Sequence, residues 1–135
     1  MKSNNVFNCD QLVRGPSEAV WKALSEPELL ARWWVPGDIK PIVGHRFTLD
    51  LGTWGIQECQ VLEIKERALL SYTFAEGLLN SKITWRLVPE DGGTRLFLEH
   101  SDFDLRAPQR KPAFDGMSNG WSAVISRIES SLTDL

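Results

Sequence analysis

The run His100-Ser101-Asp102 holds the three residue types of a hydrolytic triad. A triad works only where imidazole, hydroxyl and carboxylate converge. The preceding residues read as a strand with Leu96, Leu98 and His100 on one parity, and consecutive strand residues point to opposite faces. Three neighbours therefore cannot form a triad among themselves. What survives is His100 as a single polar contact on an otherwise apolar inner face. His45 shares parity with Phe47 and Leu49 but begins its strand beside Gly44, which reads as a solvent-facing rim. Acid–base catalysis needs a base positioned by a second polar group. Glu58 and Glu99 are the nearest candidates, and neither has an evident partner, so no residue is assigned a catalytic role.

Cys9, Cys59, His45 and His100 are scattered over four elements and match no metal or redox spacing. No metal and no cofactor are expected, and the cysteines read as small buried hydrophobes. Arg106, Arg110 and Lys111, balanced by Asp102 and Asp104, read as a solvated loop. The unusual feature is aromatic: six Trp, six Phe and a single Tyr. Trp34, Trp54, Tyr72, Phe74, Trp85, Phe103, Met117 and Trp121 form the set of interest. Such side chains ordinarily fill a core; the alternative is that some border an open pocket.

The elements that must position these residues follow from periodicity. Phe114, Met117, Trp121, Val124, Ile125, Ile128, Leu132 and Leu135 recur at spacings of three and four, which predicts one continuous amphipathic helix over 114–135. Gly116 and Gly120 fall within it, and a helix-interior glycine costs about 1 kcal/mol against alanine. Their lack of Cβ admits a close neighbour or leaves a void beside the helix. Upstream, Val6 to Val13 reads as a strand ended by Gly15-Pro16, with Pro16 suited to a first helical turn. Ser17 to Leu24 presents Val20, Trp21 and Leu24 on one helical face. Ser25-Glu26-Pro27-Glu28 reads as a capping box starting a second short helix, with Leu29, Leu30 and Trp33 facing in.

From there the period is two. Strands are expected over Arg46 to Leu51, Ile56 to Ile64 with a bulge near Cys59 to Leu62, Leu69 to Phe74, Lys82 to Val88 and Thr94 to His100. Pro89 to Gly93 reads as a hairpin turn. Strand, two short helices, five strands and a long helix, joined by short turns, give an α+β fold. Its six-stranded sheet is antiparallel and curved.

The length of 135 residues suits one domain spanning 1–135. A net charge of -3 argues against a nucleic-acid partner. No stretch approaches a membrane span, and Met1 to Asn5 lack a signal region, so the expected location is cytoplasmic.

The stretches Gly15-Pro16-Ser17-Glu18-Ala19-Val20-Trp21-Lys22-Ala23-Leu24 and Pro27-Glu28-Leu29-Leu30-Ala31-Arg32-Trp33-Trp34 resemble the activator-of-heat-shock-protein-90-ATPase-like branch of the START-like (SRPBCC) superfamily. Val43 to Phe47, Thr73-Phe74, Gly93 to Leu96, Glu99 to Ser101 and Gly120-Trp121 continue the resemblance. It departs at His45, where a second glycine is common. The resemblance implies a helix-grip fold, a curved sheet around the C-terminal helix with a cavity between them. It also implies that the aromatic set, with Phe47, Leu98 and His100, lines that cavity. The expected function is to bind a small apolar or aromatic molecule, lipid-like or polyketide-like, without catalysis. The alternatives are a module that activates a chaperone ATPase and a cyclase- or hydrolase-like enzyme. A chaperone or a second copy of the chain is the protein partner left open. The namesake of the family carries an additional chaperone-binding domain, which is not expected here.

Overall fold

The computed structural model describes residues 6–52, 55–74, 81–102 and 120–132. Strand β1 (Val6–Val13) leads into helices α1 (Ser17–Ser25) and α2 (Pro27–Trp33). Strands β2 (Arg46–Asp50), β3 (Ile56–Lys65), β4 (Leu69–Phe74), β5 (Ser81–Glu90) and β6 (Gly93–Asp102) follow. Residues 120–125 are helical (α3), and α4 (Ile128–Leu132) ends the described chain. The strands form one curved, open, antiparallel sheet in the order β1-β6-β5-β4-β3-β2.

The expected strands are all present, several a residue or two longer. A shift between Val61 and Glu63 is the expected bulge, and it leaves Leu62 exposed. The β5–β6 hairpin closes tightly: Glu90 pairs with Gly93, so Pro89 and Glu90 belong to the strand and only Asp91-Gly92 turn. Gly92 has φ +83°, a conformation that glycine adopts at little cost.

Helix starts differ from expectation in two places. Pro16 is the residue before α1, in extended conformation, and its carbonyl accepts from the N–H groups of Ala19 and Val20. The capping box does not form: Glu26 precedes α2 without a side-chain cap. Ser25 Oγ instead donates to Trp21 O at 2.8 Å, closing the last turn of α1. A serine hydroxyl satisfies whichever backbone group is nearest, and the preceding helix offers one first.

The C-terminal helix is interrupted at 126–127. There Ser126 Oγ donates to Ala123 O at 2.7 Å, and Arg127 N donates to Val124 O, three residues back. The tightened bonds displace the regular pattern that an apolar stripe alone predicts. Phe114, Gly116, Met117 and Leu135 lie outside the described residues. Arg14 N, just past β1, donates to Glu129 Oε1 at 2.8 Å and ties α4 to the strand end.

The core lies between the inner sheet face and the helices. Val20, Trp21 and Leu24 enter from α1, Leu30 and Trp33 from α2, and Trp121, Ile125 and Ile128 from α3 and α4. The sheet contributes Phe47, Leu49, Cys59, Leu70, Tyr72, Phe74, Ile83, Trp85, Leu96 and Leu98. Ile39, in the loop before β2, is also fully buried, and periodicity could not flag a residue outside a repeating element.

Candidate functional site

Alternation brings Tyr72, Phe74, Trp85, Leu98 and His100 onto one inner face, and α3 lays Trp121 over it. The ring centroids of Trp85 and Trp121 are 5.7 Å apart, edge to face. Trp34, directly after α2, reaches the same place: its centroid is 5.1 Å from Trp121, 5.8 Å from Phe74 and 6.4 Å from Trp85. Trp33 joins through Trp85 at 5.7 Å. Phe47 meets Tyr72 at 5.2 Å, and Phe74 meets His100 at 5.3 Å. The sequence-predicted residues therefore form one cluster, with Trp33 as an added member. Trp54, Phe103 and Met117 lie outside the described residues.

The polar groups in this cluster are specific. Trp121 Nε1–H donates to His100 Nδ1 at 3.1 Å, which leaves Nδ1 without a proton. The neutral ring then carries its proton on Nε2, which donates to Ser81 Oγ at 2.8 Å. Ser81 Oγ–H passes the chain on to Phe74 O at 3.2 Å. Burial pushes the His100 imidazole down to about 4 from 6.5, so the ring is neutral at physiological pH. Its neighbour Ser81 is a residue the sequence reading missed. Extending the parity of Ile83 and Trp85 back by one step would have found it, since it lies diagonal to His100 in the β5–β6 register.

A hydroxyl 2.8 Å from an imidazole invites comparison with a Ser–His pair. The tautomer is opposite to the one such a pair needs, because Nε2 donates to the serine and cannot take its proton. His100 therefore holds structure and polarity together, with both ring nitrogens in use.

The other indoles divide sharply. Trp33 Nε1 donates to Ala23 O at 2.9 Å, and Trp85 Nε1 donates to Tyr72 Oη at 3.0 Å. Burial pushes the Tyr72 phenol well above its ordinary range, against the opposing bond from Trp85. Trp33, Trp85 and Trp121 are all but fully buried and have spent their N–H groups. Trp34 is only half-buried, and among the described residues its indole N–H has no acceptor. Among the described residues, the half-buried end of the cluster thus carries the indole N–H without an acceptor.

His45 stands apart. It is partly buried, stacks on Phe47 at 6.3 Å, and lies with Nε2 3.3 Å from Asp38 O. Glu58 and Glu99 are exposed on the sheet, away from the cluster, and Glu58 pairs with Arg46 at 3.7 Å. Gly120 is the first described residue of α3, next to Trp121, and a Cβ there would meet nothing within 4 Å. Among the described residues no group of His, Cys, Asp and Glu could hold a metal ion, and no helix is long and apolar enough to cross a membrane.

Comparison with known proteins supplies the lineage. A family model described as Activator of Hsp90 ATPase homolog 1-like protein matches residues 14–133. Protein MLL2253 from Mesorhizobium loti is similar in structure, with a TM-score of 0.83 at 32% identity over 96% of this chain and 97% of that one. Protein BH1534 from Bacillus halodurans also superposes with a TM-score of 0.83, at 26% identity over 98% of this chain and 99% of that one. DynU16, from the dynemicin biosynthetic locus, shares the fold with a TM-score of 0.79 at 19% identity; 97% of this chain matches 48% of that one. No curated protein matches in the sequence comparison.

Proposed function

Because the chain belongs to the Activator of Hsp90 ATPase homolog 1-like family, we propose that it binds a small apolar or aromatic molecule, lipid-like or polyketide-like, between sheet and C-terminal helix. The carrying observation is the aromatic cluster, whose half-buried member Trp34 keeps an N–H with no acceptor among the described residues. The ligand enters beside Trp34, stacks on Trp34, Trp121 or Phe74, and sets a carbonyl or hydroxyl oxygen against the Trp34 indole N–H. His100 cannot take that role without surrendering its bond to Trp121 or Ser81. In this reading the ligand's polar group faces Trp34 rather than His100. The space facing Gly120 gives room beside Trp121. Catalysis is no part of this reading, because the His100–Ser81 tautomer withholds a base.

A titration of tryptophan fluorescence with a panel of polycyclic aromatics, fatty acids and polyketide-like rings tests the proposal. Trp34→Phe keeps an aromatic ring and removes the donor; it should weaken oxygen-bearing hits about fivefold to tenfold, as the loss of one hydrogen bond does. Hits without oxygen should change little. No saturable binding by any panel member sinks the reading. The family name supports a second one, activation of a chaperone ATPase. A saturable rise in Hsp90 turnover on adding the protein, with no hit in the panel, would favour it.

A further inference from the structure

The two edges of the sheet are finished differently. At β2, the segment 36–38 lies along the outer edge: Asp38 N donates to Thr48 O at 3.3 Å, Asp50 N donates to Pro36 O at 2.9 Å, and Gly37 bridges Leu49. At the opposite edge, among the described residues, β1 pairs with β6 alone. That pairing is unbroken from Val6 opposite Ser101 to Val13 opposite Thr94. Edge strands are ordinarily guarded by lysine, proline, a bulge or short length, because an open row of N–H and C=O groups is a template for another strand. The sequence VFNCDQLV has eight residues and none of these guards. Its single charge, Asp10, is occupied through Oδ2 by Arg95 at 2.6 Å.

We propose that β1 is the surface through which two copies of this chain associate, antiparallel about a two-fold axis at Cys9. The choice of occupant follows from self-complementarity. A two-fold axis perpendicular to the sheet places like faces together and must pass through a residue, since directly opposed residues share a face. With the axis on Asp10, two carboxylates would oppose each other, which is unfavourable. With the axis on Cys9, Asn8 of each copy lies opposite Asp10 of the other, so the amide donates to the carboxylate oxygen that Arg95 leaves open. The same register sets Val6 against Leu12 and Phe7 against Gln11. Val6, 46% exposed in the single chain, gains an apolar neighbour. Two open sheets thereby become one continuous sheet. This inference does not depend on the ligand reading.

The register makes a signed prediction at Asn8, an exposed residue. Sedimentation velocity from micromolar to millimolar protein should show reversible dimerisation of the unmodified chain. Asn8→Asp, which puts carboxylates opposite each other at two symmetric places, should weaken the dimer about tenfold. Asn8→Lys, facing Asp10 of the second copy, should tighten it severalfold. Within its own chain Asn8 opposes Glu99, so melts at the lowest concentration establish that each variant is folded. A chain that stays monomeric throughout, or two variants that shift the dimer in the same direction, would overturn the assignment.

Discussion

His100 shows how much one side chain's surroundings decide. Parity alone put it on the inner face, but the sequence could not tell that both ring nitrogens are in use, because Trp121 and Ser81 come from distant segments. The consequence is a pH dependence with a definite sign. The folded ring resists protonation down to about 4, while an unfolded one titrates near 6.5. Between those values the unfolded chain binds the extra proton. The contribution is fully present above 6.5, is lost progressively as pH falls toward 4, and is gone below it. Its full size is about 3 kcal/mol. Urea unfolding across that window should show the loss, and His100→Gln, which cannot charge, should flatten it. A profile unchanged by the substitution would mean that carboxylates govern the acid side.

Among the elements, the sheet was legible and the C-terminal helix only partly so. Strand residues must alternate or lose their buried face, so the pattern of β1, β4, β5 and β6 is written directly in the sequence. A helix break made by Ser126 bonding its own backbone leaves the apolar stripe intact and is therefore invisible to periodicity. The gripped face is still the one that the stripe marks. Ile128 is fully buried and Ser130 exposed, so Ile128→Ala should cost about 2–5 kcal/mol. Ser130→Ala should change stability by no more than about 0.5 kcal/mol in the same urea melts. Two glycines give a sharper contrast. A Cβ on Gly93 would collide with Val13 O, backbone that cannot retreat without moving β1. One on Gly120 would meet nothing within 4 Å. Gly93→Ala should therefore destabilise, while Gly120→Ala should stabilise by up to about 1 kcal/mol through helix propensity. If the space at Gly120 receives a ligand, the same change should lower affinity as it raises the melting temperature.

For the molecule as a whole, the proposed site is built across the sheet and the helix, so binding there would link ligand occupancy to global stability. His100 on β6, Ser81 on β5 and Trp121 on α3 share one hydrogen-bonded chain, and Trp34, directly after α2, packs on Trp121. Aromatic composition announced this cluster in the sequence. The division of its indoles, among the described residues, into three satisfied donors and one without an acceptor was not legible, because it depends on contacts between distant segments. A molecule that binds only the folded state adds about 2.7 kcal/mol when free ligand is one hundred times Kd. For a chain of this size that is a melting shift on the order of 5–10 °C. Trp121→Ala should destabilise the protein and reduce the shift, since it removes both a stacking surface and the partner of His100. Trp21→Ala should also destabilise, because the side chain is buried on α1, yet it should leave the shift nearly intact, as that ring belongs to the core away from Trp34. Calorimetry of the three proteins, with and without the best panel compound, separates lost stability from lost binding. Equal shifts in all three would place the ligand somewhere other than this cluster.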